Sequence, residues 1–417
     1  MCTIVHMACT FVRMPAPDSA PPTREARRAR GAVAALFLTN GALFANLVPR
    51  FPEIKSDLLL DNAAYGVAIA AFPTGAVLAG LASASVIRRF GSGRAAVAGT
   101  VLTAIGTMVA GFSPTLLAFA AALLLAGATD AITDVAQNTH GLRVQRRYGR
   151  SIINSFHAVW SIGAVLGGSM AAGALALGVP RSLHLVLSGT LFAIVALVAL
   201  RFCLPGRDDE ARPDPVAGDR TPRARVGARV ALVLAALVGV AIAGTLVEDA
   251  GSTWAALYLS ADLGASAPVA AYGFVALVGA QFVGRILGDR LVDRFGQRAV
   301  VRTGGAIAGT GMGLALLLPS VPGTILGFAA AGFGLATTVP AAMHEADEIP
   351  GLRAGTGVTL VSWLMRLGFL LSPPLVGLVA DSAGLRAGLA VVPLAAVLAV
   401  VLSPVLSTRR SRGEVAQ

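Results

Sequence analysis

Apolar residues run along this chain in long blocks rather than alternating with polar ones. From Gly31 onward, twelve such blocks can be drawn: 31–48, 63–87, 95–112, 116–139, 152–177, 183–203, 229–249, 267–291, 300–318, 322–343, 355–380 and 386–407. A block of about 20 apolar residues, rising 1.5 Å per residue as a helix, covers the roughly 30 Å hydrocarbon core of a bilayer. The breaks carry turn chemistry, as in Phe112-Ser113-Pro114, Gly178-Val179-Pro180 and Pro319-Ser320-Val321-Pro322. The pattern therefore predicts an all-α membrane protein with twelve transmembrane helices. Its longest polar stretch, 204–229, divides them into two six-helix bundles, 31–203 and 230–407, and reads as a flexible linker. Residues 1–30, rich in Pro, Arg and Ala, are expected to form a disordered tail, with Met14 as an alternative start, and 408–417 a second tail.

Composition strengthens this reading. Of 417 residues, 55% are hydrophobic and 13% charged, against about 25% charged in a soluble globular chain. Mean hydropathy is +0.75. Too little polar surface is available to coat a water-soluble body of this size, which excludes a cytosolic enzyme, a nucleic-acid-binding domain and a disordered scaffold. The net charge of +11 then reads as orientation rather than nucleic-acid affinity. With both termini in the cytoplasm, every basic residue except Arg50, Lys55, Arg181, Arg386 and Arg366 falls in or beside a cytoplasmic segment. The location that follows is the inner membrane. Cys2, Cys9 and Cys203 offer no evident disulfide pair and no CxxC metal spacing. There is no P-loop, no HExxH and no supported Ser/His/Asp set, so no enzyme, cofactor or metal is expected.

The halves repeat at an offset of 205 residues. Arg294-Phe295-Gly296 falls on Arg89-Phe90-Gly91, Gly332 on Gly127 and Gly368 on Gly163. Two parallel six-helix repeats are a transporter architecture.

With these features the chain resembles the major facilitator superfamily over about residues 31–407. The run from Gly288 through Asp289, Asp293, Arg294 and Gly296 to Arg298 is similar to the superfamily's gating-loop motif, which latches the cytoplasmic side. The first-half copy around Arg89 and Gly91 is degraded, with Arg88 where an acid is expected. Asp134-Val135-Ala136-Gln137-Asn138, together with Glu248 and the run Asn154 to Ser161, resembles the fucose-permease-like branch. That resemblance implies a proton-coupling role for Asp134.

An ionisable side chain in a span costs about 2.5–3.5 kcal/mol on insertion scales, so each should face a cavity or a partner. Asp130, Asp134 and Asn138 follow at i, i+4 and i+8 and share one helix face. Two carboxylates one turn apart cannot both carry charge cheaply in a low dielectric, which makes Asp130 and Asp134 the proton-coupling candidates. Pairing with Arg143, Arg146 or Arg147 is the alternative. Glu248 and Asp249 point about 100° apart. They lie near the outer end of a span drawn to 249, and Glu248 is the cavity candidate. Trp254 and Tyr258 then read as an interfacial aromatic belt. Asn40 and Asn46 are either substrate ligands or interhelix glue. His157 and Trp160 share a face, and His157 is a possible proton relay; Gln281 is a weaker candidate. Arg285 and Asp289, at i and i+4, are expected to pair. Arg366 lies about 16 Å along a span starting near 355, with apolar flanks. It needs an acid from another helix or an anionic substrate.

The expected function is secondary active transport of a small polar metabolite, a sugar or organic acid, by alternating access with proton coupling. The chain is expected to work as a monomer, with substrate, protons and the lipid bilayer as its partners. The alternative is a proton-driven exporter of toxic amphipathic compounds, though Gly167-Gly168 replaces the Gly-Pro common in drug antiporters. A receptor or scaffold is the rival from another class.

Overall fold

The computed structural model describes residues 23–149, 152–206, 227–349, 352 and 356–408, apart from the side chains of Asn154 and Asp289. Among the described residues the secondary structure is helical throughout. That is the outcome a bilayer imposes, because a helix satisfies its own backbone polar groups within one segment. Twelve helical spans are long and apolar enough to cross a membrane. They are Arg24–Asp57, Asn62–Gly80, Ser92–Phe112, Leu116–Tyr148, Ser155–Ala176 and Arg181–Leu200, then Ala228–Ala261, Ala267–Gly288, Gln297–Leu317, Val321–Asp347, Thr356–Ala383 and Leu385–Val405. We call them spans 1 to 12. The face where the described chain begins and ends is the terminal face, and its opposite the far face.

Several boundaries differ from the apolar blocks. Span 1 starts at Arg24, inside the stretch expected to be a disordered tail, because Thr23 caps it by accepting from Ala26 N–H and its first turns dock on span 4. Arg30 donates to Tyr148 Oη at 3.0 Å, and Glu25 meets Arg147 at 3.5 Å. Span 7 continues well past 249 to Ala261. Its end carries Trp254 and Tyr258, expected in an interfacial belt but found 0% and 1% exposed. They face protein, not headgroups: Trp254 packs edge-to-face on Tyr65 of span 2 at 5.0 Å. Span 11 is interrupted at Met365, giving Thr356–Leu364 and Arg366–Ala383. Most of the linker and the C-terminal tail, 207–226 and 409–417, lies outside the described residues.

The 205-residue repeat reaches down to single contacts. Gly91 and Gly296 both turn the chain at φ 83°, a region glycine enters without a Cβ penalty. Each follows an Arg-Phe pair whose guanidinium lies over the ring, at 5.4 Å for Arg89 and 5.3 Å for Arg294. A Cβ on Gly127 would collide with the Phe72 carbonyl, and one on Gly332 with the Leu277 carbonyl. Phe72 and Leu277 are themselves one offset apart. His140 and Glu345 form another such pair. His140 Nε2 accepts from Leu204 N–H at 3.1 Å, just after span 6, and Glu345 Oε1 accepts from Ser407 N–H at 3.0 Å, just after span 12. Because Nε2 accepts, Nδ1 carries the His140 proton and donates it to Ser92 Oγ at 2.8 Å.

The halves meet where spans 2 and 11 pack together and where spans 5 and 8 do. Small residues permit the approach. A Cβ on Gly66 would strike the Pro373 carbonyl, one on Gly377 the Asn62 carbonyl, and one on Gly168 the Phe274 ring.

Candidate functional site

Between the halves lies a cavity of about 340 Å³, within the range of small-molecule sites. The first half contributes Asn40, Asp130 and Trp160; the second contributes Glu248, Gln281 and Arg366. Phe44, Phe72, Phe274 and Phe369 supply its apolar walls. Arg366 is the first residue of the helix that resumes after the Met365 break, so the interruption of span 11 sits in the cavity wall.

Asn40 is the hub of the first-half wall. Its Nδ2 donates to Asp130 Oδ1 at 2.6 Å, and its Oδ1 accepts from Trp160 Nε1 at 2.8 Å and from Gln137 Nε2 at 3.4 Å. One amide thereby joins spans 1, 4 and 5. Opposite it, Glu248 accepts from Gln281 at 2.8 Å and meets Arg285 at 3.5 Å, both from span 8. Arg285 thus pairs with Glu248; the expected pair with Asp289 involves a side chain outside the described residues. The extension of span 7 to Ala261 explains why Glu248 is a cavity residue and not an acid at the far mouth. Among the described residues no carboxylate lies within 4.0 Å of the Arg366 guanidinium, so the fixed intramembrane ion pair is not formed in this conformation.

Not every candidate reaches this cavity. Asp134, one turn beyond Asp130 toward the terminal face, is absent from its lining, as are Asn138 and His157. Asn138 Nδ2 instead donates to Asp134 Oδ1 at 3.0 Å, within span 4. His157 is exposed and sets its ring edge-on to Phe37 at 5.2 Å. Asp134 and Asn138, bonded to each other, thus form a second polar layer beside the cavity wall, toward the terminal face. Asn46 belongs to neither layer. It accepts from His184 Nε2 at 2.9 Å and donates to the Ala42 carbonyl at 2.9 Å, which makes it interhelix glue.

The loop candidates lie apart from the cavity. Asp293, Arg294 and Gly296 border a separate crevice of about 1570 Å³ at the terminal end of the second half, and Gly288 packs tightly against Thr337. Among the described residues, the hydrogen bonds seen between the halves are at the opposite end. Tyr65 Oη donates to the Thr253 carbonyl at 2.9 Å. Asp381 at the end of span 11 accepts from Asn62 and Ala63 N–H, at 2.9 and 2.7 Å, where span 2 begins. The far face is thus fastened. Tyr65, Asp381 and the phenylalanine walls went unnamed in the sequence reading, because their roles depend on cross-half packing that no local pattern encodes.

The sequence profile of the Major Facilitator Superfamily matches residues 33–290 and again 234–417. The chain belongs to the major facilitator superfamily. It is 30% identical over 379 residues to an uncharacterized transporter, y4wD, of Sinorhizobium fredii, covering 90% of this chain and 97% of that protein. Among solved structures it resembles a D-xylose-proton symporter at 14% identity, with TM-score 0.69 over 91% of this chain and 96% of that one. It also resembles a bacterial homologue of the human lysosomal transporter Spinster, in an inward-facing, unoccupied conformation. That match has 16% identity and TM-score 0.71, over 92% of this chain and 98% of that one. The chain is therefore a multi-pass membrane transporter of the major facilitator kind.

Proposed function

We propose that this transporter moves a small polar metabolite, a sugar or organic acid, across the inner membrane by alternating access, driven by the proton gradient. The observation that carries this reading is Arg366, a permanent cation in the cavity wall with no carboxylate of the described residues within ion-pair distance. An intramembrane cation left in that state calls for an anionic or hydroxyl-rich ligand. Asp130, hydrogen-bonded to Asn40 in the opposite wall, and Asp134 behind it are the proton-coupling candidates. In this reading the terminal face is cytoplasmic, as the basic residues require, and the fastened far face makes this the conformation that opens inward. The aromatic walls give the exporter of amphipathic compounds its one supporting observation. The polar groups in both walls favour the metabolite.

The test is reconstitution. Purified protein in liposomes is offered a panel of sugars, organic acids and cationic amphiphiles, with and without an imposed pH gradient. Uphill accumulation of a sugar or organic acid that collapses with the gradient supports the reading. Movement restricted to cationic amphiphiles supports export.

A further inference from the structure

The terminal crevice of the second half has a counterpart in the first, and there the chain itself is held. Where it leaves span 6, Leu204 N–H donates to His140 Nε2 at 3.1 Å, and Leu204 is buried among Ala26, Ala29 and Val144. Arg143, one turn further along span 4, clamps the next two residues. It donates to the Pro205 carbonyl and, at 3.1 Å, to the Gly206 carbonyl.

In the second half the anchor is kept and the clamp changes sign. Glu345, one 205-residue offset from His140, accepts from Ser407 N–H at 3.0 Å where the chain leaves span 12. Glu348 stands one offset from Arg143. An ionised carboxylate can only accept hydrogen bonds, so Glu348 cannot hold backbone carbonyls as Arg143 does. The ion-pair partner found for it among the described residues is the weak base His344, at 3.7 Å, and its side chain is 61% exposed. Glu345 and Glu348 both border the crevice, and so does Thr408, the last described residue at this end. Arg409-Arg410-Ser411-Arg412 follow. Gly206 comes two residues after the anchored Leu204, and Arg409 two residues after the anchored Ser407. The place that offers a carbonyl to Arg143 in the first half therefore brings a guanidinium to Glu348 in the second, a charge-assisted match.

Size and charge agree with a peptide occupant. About 1570 Å³ exceeds the roughly 300–1,000 Å³ of a small-molecule site. The span 8 wall of the crevice carries Arg290 and Arg294. Glu414 lies five residues beyond Arg409, a reach of up to about 17 Å in extended chain. An exposed ion pair alone contributes little, but tethering at Thr408 makes docking intramolecular, at an effective concentration on the order of millimolar.

We propose that the segment after Thr408 docks in this crevice as a strap, with Arg409 and Arg410 on Glu348 and Glu345 and with Glu414 on the span 8 arginines. It braces the terminal ends of spans 8, 10 and 12. The proposal needs nothing from the reading of solute or coupling and stands apart from it.

The test is disulfide cross-linking in purified full-length protein whose Cys2, Cys9 and Cys203 are replaced by serine. Ser411→Cys is paired with His344→Cys at the crevice or, as a control, with Arg146→Cys at the terminal end of the first half. Under mild oxidation the intramolecular disulfide should form at least tenfold faster with His344→Cys. The double variant Glu345→Gln/Glu348→Gln should slow it at least fivefold; Gln at 345 keeps an acceptor for Ser407 N–H, so the anchor survives. Glu348→Arg should slow it likewise, and adding Arg409→Glu should restore the rate. Equal rates at crevice and control overturn the proposal, as does a rate that the Gln pair leaves unchanged. Cross-linking of His344→Cys to Asp209→Cys of the linker in place of Ser411→Cys would give the crevice to the linker. Disulfides between two molecules would give it to a second copy. Either result overturns the strap.

Discussion

Tyr65 of span 2 donates its hydroxyl hydrogen to the Thr253 carbonyl of span 7 at 2.9 Å, and its ring packs on Trp254 beside it. One side chain thus ties the two halves by a buried hydrogen bond and an aromatic contact, on the far side of the cavity that holds Arg366. Closure of one face is carried by a few named contacts, and each can be removed singly.

Tyr65→Phe keeps the ring and deletes the hydrogen bond, a loss of about 1 kcal/mol, or roughly fivefold in an equilibrium. The expected outcome is faster labelling, by about that factor, of a single cysteine introduced at Ser252 and probed from the far face with an impermeant maleimide. An unchanged rate would mean that the bond does not hold this face closed.

Asn40 joins three spans through one amide. Asn40→Ala leaves Trp160 Nε1 and Gln137 Nε2 without their acceptor, at about 1–3 kcal/mol for each stranded buried group. Thermal unfolding in detergent should show a clear fall in the midpoint. Asn40→Asp, which keeps the Oδ1 acceptor for Trp160 and Gln137, should be milder in unfolding while disturbing Asp130 by like-charge contact.

Cys203 lies just past span 6, and burial pushes its thiol up to about 11. The reactive thiolate is therefore scarce at neutral pH. With Cys2 and Cys9 replaced by serine, iodoacetamide labelling should be slow at pH 7.5 and rise about tenfold per pH unit until the thiol ionises near 11. Fast labelling at neutral pH would place Cys203 in water.

Asp130 and Asp134 separate in the structure as they do not in the sequence. Asp130 lines the cavity, while Asp134 lies one turn away beside Asn138. Under the proposed proton coupling, Asp130→Asn and Asp134→Asn should each abolish gradient-driven accumulation while leaving solute exchange partly intact. Asp130→Asn alone should also weaken substrate binding, by severalfold. Uphill accumulation at the wild-type rate in either variant removes that residue from the coupling role.

The twelve spans, their division into two halves and the 205-residue repeat were legible because lipid allows a chain few choices. Apolar length, basic loops and glycine positions each report the same constraint. Cavity residues were legible one by one, since Asp130, Glu248 and Arg366 are costly in a span and so stand out. What they touch was not legible. That Glu248 takes Arg285, that Asn40 holds Asp130 and Trp160, and that Trp254 is buried against Tyr65 depend on which helices become neighbours. The belt reading of Trp254 failed for a local reason as well: span 7 was drawn to end at 249, because Glu248 and Asp249 look like the edge of an apolar block.

The central claim, that the cavity recognises its solute through Arg366, is tested most directly by substrate binding to purified Arg366→Ala and Arg366→Lys proteins. The account predicts that Ala loses binding by at least tenfold and that Lys, which keeps the charge but not the bidentate fork, retains part of it. A folded Arg366→Ala protein that binds the solute with wild-type affinity would contradict it.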